Sequence, residues 1–317
     1  MAADRKMERK NQTIVTEFIL LGLSDDPNIQ SVLFATGLLI YMFALAGNLA
    51  IIVLIWTDQH LQTPMYFLLR NLAITDIGYV SSTTPKILWN LMSGHKTISF
   101  AGCAFQMFCF LITGGVEGGL YTVMAYDRYA AICHPLHYTL LMNQSVLRWL
   151  LAACWTTGGV NATFNTAFVF SLNFCGPNKI VHFFCDIPPV LNLSCSDTSL
   201  AELVTFVISG GILVASVSII FVSYVLIVLA VLKISTAQGR MKTFSTCTSH
   251  LTAVSLSYST AILMYATPSS VRSREVDRVI SVLYTVTNPL LNPLIYSFKN
   301  KEMQAALLNL LGKKQHS

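Results

Sequence analysis

The chain has 317 residues, 54% of them hydrophobic and 11% charged, and a formal net charge of +5. A surface facing water all round needs more polar side chains than this, so lipid is the expected solvent. The positive charge is scattered, with no basic stripe or basic-aromatic run, which sets nucleic acid aside as a partner.

Seven apolar stretches approach the roughly 20 residues that about 30 Å of hydrocarbon requires. In chain order they run Val32 to Trp56, Met65 to Leu88, Ser99 to Ala125, Val146 to Phe170, Leu200 to Leu232, Leu251 to Ala266 and Val279 to Tyr296. The sixth is the least apolar, but its Ser and Thr hydroxyls can bond back to their own carbonyls and leave it helical. Pro85, Pro289 and Pro293 fall in or beside these runs; membrane spans tolerate them because neighbours re-satisfy the freed carbonyls. No linker or internal repeat divides the chain. The expected fold is all-α: a single seven-transmembrane helix bundle over residues 1–317, with tails at 1–28 and 298–317.

The first 28 residues carry Asp4, Arg5, Lys6, Glu8, Arg9, Lys10, Asp25 and Asp26 and lack the apolar core of a cleavable signal, so the first span must serve as the signal. Lys and Arg divide almost evenly between the two sides, and charge counting leaves the orientation open. Asn11-Gln12-Thr13 is a glycosylation sequon, which would put the amino terminus outside and, after seven spans, the carboxyl terminus in the cytoplasm. Cys175, Cys185 and Cys195 lie between the fourth and fifth spans, and Cys103 opens the third. On an oxidising side, one disulfide would tie that loop to the third helix and another would shape the loop itself; four free thiols are the alternative. Cys109, Cys133, Cys154 and Cys247 fall in or beside spans, where packing is the default reading.

Asp76 and Glu117 lie in mid-span, where a lipid-facing carboxylate costs on the order of 2.5 to 3.5 kcal/mol, so both must face inward. Either they share a proton, or they hold a sodium ion with nearby amides such as Asn48 and Asn292, or they form a purely structural pair. A transporter would also bury ionisable groups but would show repeats and matched helix breaks. No Walker-type phosphate loop, His-Glu-x-x-His or activated nucleophile is present, and the chain is not expected to be an enzyme.

Asp127-Arg128-Tyr129 stands where the third span meets water. An isolated Arg there would only complement the helix dipole and the headgroups. This one is not isolated: Met124-Ala125-Tyr126-Asp127-Arg128-Tyr129-Ala130-Ala131-Ile132-Cys133 resembles the signature of vertebrate odorant receptors, a branch of the rhodopsin-like G-protein-coupled receptors. The resemblance extends through Asn11 to Leu23, Gly47-Asn48, Pro64-Met65-Tyr66-Phe67-Leu68, Ser223-Tyr224, the run Lys242 to Leu251, and Pro289 to Ser297. It implies a plasma-membrane receptor for a small volatile ligand, acting through a heterotrimeric stimulatory (olfactory-type) G protein to raise cyclic AMP. It further implies the pairs Cys103–Cys185 and Cys175–Cys195. A chemosensory receptor for a metabolite outside the nose, or more distantly a transporter, is the alternative reading. Where members of the family often carry His, Ala and a Phe-Tyr-Gly triplet, this chain has Gln62, Thr243 and Ser257-Tyr258-Ser259; the last removes backbone freedom and a packing contact from the helix-six hinge.

Under that resemblance, an agonist between helices three, five and six favours an open cytoplasmic face. The switch residues it implies are Asp127, Arg128, Tyr129, Tyr224, Asn292, Pro293 and Tyr296. Helical geometry, one to three turns in from the extracellular ends, gives the ligand-binding candidates Phe110, Leu111, Gly114, Gly115, Asn161, Ser209, Ile212, Tyr258, Ala261, Ile262 and Tyr265, each with ordinary core packing as its alternative. The run Gly114-Gly115-Val116-Glu117-Gly118-Gly119 offers either close helix approach or room for a ligand. The set is mostly apolar with a few hydroxyls and amides, which suits a volatile with one hydrogen-bonding group. The segment Lys299 to Lys314 sets four leucines among basic residues, the pattern of a short amphipathic cytoplasmic helix lying on membrane lipid.

Overall fold

The computed structural model describes residues 15–265, 274–298, 300–310 and 312. The sequon at Asn11 and the end of the carboxyl-terminal tail lie outside the described residues. Seven long helices are α1 (Pro27–Thr57), α2 (Pro64–Ser93), α3 (Phe100–Cys133), α4 (Gln144–Phe170), α5 (Ser199–Leu232), α6 (Ala237–Tyr265) and α7 (Arg274–Phe298), and a shorter α8 (Lys301–Leu310) follows.

Their ends are set by local chemistry. Asp26 caps α1, accepting from the N–H groups of Asn28 at 2.8 Å and Ile29 at 3.4 Å, with Pro27 in the first turn. Ser99 caps α3 through the Gly102 N–H at 3.1 Å, and Asn143 caps α4 through Ser145 and Val146, both at 3.0 Å. Gly94, at φ 69°, ends α2 in the left-handed conformation that an L side chain resists. Gln62 donates to the Ile55 carbonyl at 2.6 Å, so this departure from the family pattern satisfies an orphan acceptor at the end of α1.

The bundle is apolar outside and polar within, the reverse of a water-soluble domain. Leu39, Trp149 and Phe206 point outward, each more than 70% exposed, whereas Asn48, Asp76, Glu117 and Asn292 are buried. That distribution fits a lipid solvent, which rewards outward apolar surface and forces polar groups to find partners inside. Among the described residues, four segments are long and apolar enough to cross a membrane by composition alone: Pro27–Thr57, Phe100–Cys133, Ser199–Leu232 and Val279–Ser297. The helices α2, α4 and α6 carry more polar residues, including Asp76, Asn161 and His250, each buried in the bundle. Helix α3 is central, packing against α2, α4, α5 and α6, while α7 closes the ring against α6, α1 and α2.

Proline breaks are repaired as membrane spans require. Pro293 cannot donate to the Pro289 carbonyl, and the Asn48 amide does so from α1 at 2.9 Å, while the Gly47 backbone approaches the Pro293 ring closely enough that a Cβ would lie 3.0 Å away. Near Pro85, which removes the helical donor to the Ser81 carbonyl, Gln106 of α3 donates to the neighbouring Ser82 carbonyl at 3.1 Å.

The mouth of the bundle is closed by a three-stranded sheet that no pattern in the sequence announces. Strand β1 (Glu17–Leu20) lies between β2 (Thr97–Ser99), antiparallel with Phe18 opposite Ile98, and β3 (Lys179–Ile180), parallel with Leu20 opposite Ile180. Phe18 and Leu20 are fully buried, so part of the presumed free tail is packed structure. Cys103 and Cys185 are joined with 5.5 Å between Cα atoms, and Cys175 and Cys195 with 5.7 Å, both ordinary for disulfides. Helix α6 starts at Ala237, well before the apolar run that begins near Leu251, because its polar first half continues the same helix past the apolar zone.

Candidate functional site

The polar residues expected to face inward converge on α7. Asn292 donates from Nδ2 to Asp76 Oδ2 at 2.9 Å and to the Tyr121 hydroxyl at 3.0 Å. Tyr121, one turn beyond Glu117 on α3, donates to Glu117 Oε1 at 2.9 Å. The two carboxyl groups are thus linked through Tyr121 and Asn292. Asp76 Oδ1 and Asn48 Oδ1 are buried without a hydrogen-bond partner. Among the described residues no three His, Cys, Asp or Glu side chains converge, so any cation here would rest on amide and hydroxyl oxygens as well as carboxylate.

Toward the mouth, Phe110 is enclosed by rings: Tyr79 at 4.8 Å, Phe184 at 4.9 Å and Tyr284 at 5.7 Å between centroids. Phe183 and Phe184 come from the disulfide-bound loop, which Gln106 holds by accepting from the Cys185 N–H at 2.9 Å. His182 of the same loop bonds Ser281 of α7 at 2.8 Å. Together these residues form an aromatic lid packed on Phe110 of α3 and Tyr284 of α7.

The candidate ligand residues fall into several settings. Gly114 faces Tyr79 and Tyr284, and Leu111 packs with the apolar cluster under the sheet. Gly115 lies against α4, where an added Cβ would meet Gly158 Cα at 3.0 Å; this is the close-approach reading of the glycine run rather than open space. Asn161 accepts from Ser209 at 2.8 Å and from Asn165 at 2.9 Å, joining α4 to α5. Ile212 and Ala261 are half-buried. Tyr258 donates to the Gly118 carbonyl at 3.3 Å and shares a hydrogen bond with Ser216, which in turn pairs with Thr122. Ile262 is not brought to this wall: it is 45% exposed on the outer face, because successive helical residues diverge by about 100° and Ala261 takes the inner side. The side chain of Tyr265 lies outside what is described.

At the far end, Arg128 lies 3.3 Å from Asp127, and Asp127 accepts from the Tyr138 hydroxyl at 2.7 Å. Tyr138 begins a one-turn helix after α3; burial first, then the Asp127 charge, raises its pKa well above the ordinary phenol range, so it stays protonated and donating. Tyr129 pairs with His134 at 3.0 Å. Tyr224 bonds His250 Nδ1 at 2.7 Å, and His250 Nε2 faces the Tyr121 carbonyl at 3.0 Å. The Tyr296 hydroxyl is buried without a partner, and Pro293 packs on Gly47. Tyr66 donates to Glu302 at 2.7 Å, fastening α8 to α2; Met303 and Ala306 turn inward from α8 while Glu302 and Gln304 remain exposed.

Sequence reasoning missed Tyr121, His250, Ser216, Asn288 and Tyr138. Only Tyr121 carried a usable signal, standing four residues after a buried carboxylate on the same helix face.

A family model described as olfactory receptor matches residues 38–314. Olfactory receptor 5B21 of Mus musculus is 49% identical over 304 residues, covering 96% of this chain and 95% of that protein. Olfactory receptor 5AP2 of Mus musculus is 50% identical over 305 residues, 96% of each, and olfactory receptor 5AN1 of Homo sapiens is 48% identical over 304 residues, 96% of this chain and 98% of that protein. Matched by the family model over most of its length and about half identical to these relatives nearly end to end, the chain belongs to the olfactory receptor family, a multi-pass plasma-membrane receptor of seven helices and not an enzyme.

Proposed function

We propose that this odorant receptor binds small, mostly apolar volatiles beneath the aromatic lid, between α3, α5, α6 and α7, and activates a stimulatory, olfactory-type G protein to raise cyclic AMP. The observation that carries the reading is that α6 is held to α3 and α5 by two sets of polar contacts, one through Tyr258 and one through His250, stacked between the lid and the switch. Tyr258 and Ser216 sit at the base of the candidate pocket, Tyr121 and Asn292 lie below them, and His250, Tyr224 and Arg128 follow at the far end. An agonist that shifts α6 disturbs the Tyr258 and His250 contacts together. Arg128 is then free to leave Asp127 for a G-protein helix, with the unpartnered Tyr296 hydroxyl ready to accept new company.

The amino terminus and the disulfide-bound loop face outward and α8 lies on the inner leaflet with its apolar side in lipid, so the tails at 1–28 and 298–317 are extracellular and cytoplasmic. Two disulfides at one end support that orientation. Glycosylation at Asn11 belongs to the same reading. The orphaned oxygens of Asp76 and Asn48 fit a sodium ion, and the linked Asp76 and Glu117 equally fit a shared proton.

The ligand is recognised chiefly by apolar contact, with hydroxyls and amides at Ser209, Asn161 and Tyr258 offering one directional bond, so breadth and modest affinity are expected. The test is cyclic AMP in cells expressing the chain with an olfactory-type stimulatory G protein and challenged by a volatile panel. A dose-dependent rise for some members, lost in Gly114→Phe at equal surface level because the added ring crowds Tyr79 and Tyr284, supports the reading. A rise unaffected by that substitution removes the pocket from this place, and silence across the panel with the receptor at the surface removes the stimulatory coupling.

A further inference from the structure

Helix α6 is held on two sides at one level by adjacent residues. Tyr258 turns toward α3 and α5, reaching Ser216 and the Gly118 carbonyl. Ser257 turns the other way, and its hydroxyl oxygen accepts from the Asn288 amide of α7 at 2.9 Å. Asn288 is 3% exposed, stands one turn before Asn292 on α7, and lies near the Glu117 carboxyl group. The Ser257 hydroxyl therefore ties α6 to α7 one turn from the Glu117–Tyr121–Asn292–Asp76 chain, and it does so at the triplet where this sequence departs from the Phe-Tyr-Gly pattern.

We infer that Ser257 is a positioning residue that sets the activation threshold of this receptor. Its bond to Asn288 exists while α6 is packed against α7 and breaks when α6 swings out, so it weights the closed state. This rests on the proposed agonist-driven opening of α6. A phenylalanine at this position has no oxygen to offer Asn288 and acts by packing alone; Ser257 replaces that with a directional contact between polar partners. In Ser257→Ala the Asn288 amide still lies beside the Glu117 carboxyl group, an acceptor to which it can turn.

One neutral hydrogen bond weights a two-state equilibrium by about three- to tenfold. Ser257→Ala should raise ligand-independent cyclic AMP by about that factor at matched surface level, and should lower the half-maximal agonist concentration in the same direction. Ser257→Thr, which keeps the oxygen, should restore the parent values, whereas a residue that merely fills space would be rescued by Cys better than by Thr. The assay measures basal and agonist-driven cyclic AMP for the parent and the three variants. Where Ser257→Ala does not reach the surface, Ser257→Cys is read in its place, since a thiol is a weak acceptor and preserves volume. Basal output and agonist potency unchanged by loss of the hydroxyl, in a parent that responds, overturn the inference. A parent that responds to no ligand overturns the functional reading beneath it, and the two failures are told apart by the parent's own response.

Discussion

The contact between α3 and α4 is close enough for one methyl group to decide. A Cβ on Gly158 would stand 3.0 Å from the Ile112 carbonyl oxygen and 3.1 Å from the Val116 N and Cγ2; two of these three atoms are backbone and cannot rotate away. The helices must separate by a few tenths of an ångström, an overpacking that costs about 1–3 kcal/mol. Ala recovers close to 1 kcal/mol of that through its better helix propensity, leaving a net loss of up to about 2 kcal/mol. Gly211, also within a long helix, has nothing within 4 Å of its would-be Cβ and supplies the control. In thermal unfolding of the detergent-solubilised receptor, Gly158→Ala should melt several degrees lower, at roughly 2–4 °C per kcal/mol, and Gly211→Ala at or above the parent. Equal melting of the two variants would refute the claim that the glycines serve helix approach.

Asn48→Leu should lower thermal stability by about 1–3 kcal/mol, because the Pro289 carbonyl freed by Pro293 loses its donor in a site that water does not reach; a melt indistinguishable from the parent contradicts this. Cys103→Ser opens a loop of 82 residues against 20 for Cys175→Ser, and loop-closure entropy grows with length. Flow cytometry should therefore find less receptor at the surface for Cys103→Ser than for Cys175→Ser, and the reverse order counts against the entropic account. Tyr138→Phe removes the donor that holds Asp127 beside Arg128, and basal cyclic AMP should rise a few-fold at equal surface level; a fall instead would mean that the Tyr138 contact belongs to the active state.

The helices were legible because a lipid solvent writes them as long apolar runs, whereas their capped starts after Asp26 and Asn143 precede the apolar runs at Val32 and Val146 and leave no mark in apolarity alone. Inward-facing Asn48, Asp76, Glu117 and Asn292 were legible for the complementary reason, the cost of exposing them to lipid. The sheet at the mouth was not: strands of two to four residues give no periodicity, and their pairing joins segments some 80 to 160 positions apart. Helix α6 was shortened because a polar first half reads as loop when apolarity alone is the signal. Ile262 was set inward beside Ala261, although the helical period allows only one of two adjacent residues that side. Partnerships such as Tyr224 with His250, or Ser257 with Asn288, depend on how helices rotate against each other, which single-helix patterns do not record. In the glycine run, Gly115 and Gly119 serve close approach to α4, and Gly114 lies close against the Tyr79 ring.

The central claim is that ligand binding near the mouth is read out through Arg128. The direct test is ligand-dependent cyclic AMP in cells carrying an olfactory-type stimulatory G protein, comparing the parent with Arg128→Ala at equal surface level. The parent should show a rise that the variant loses, while a tracer agonist still binds both. Full signalling from Arg128→Ala would contradict it.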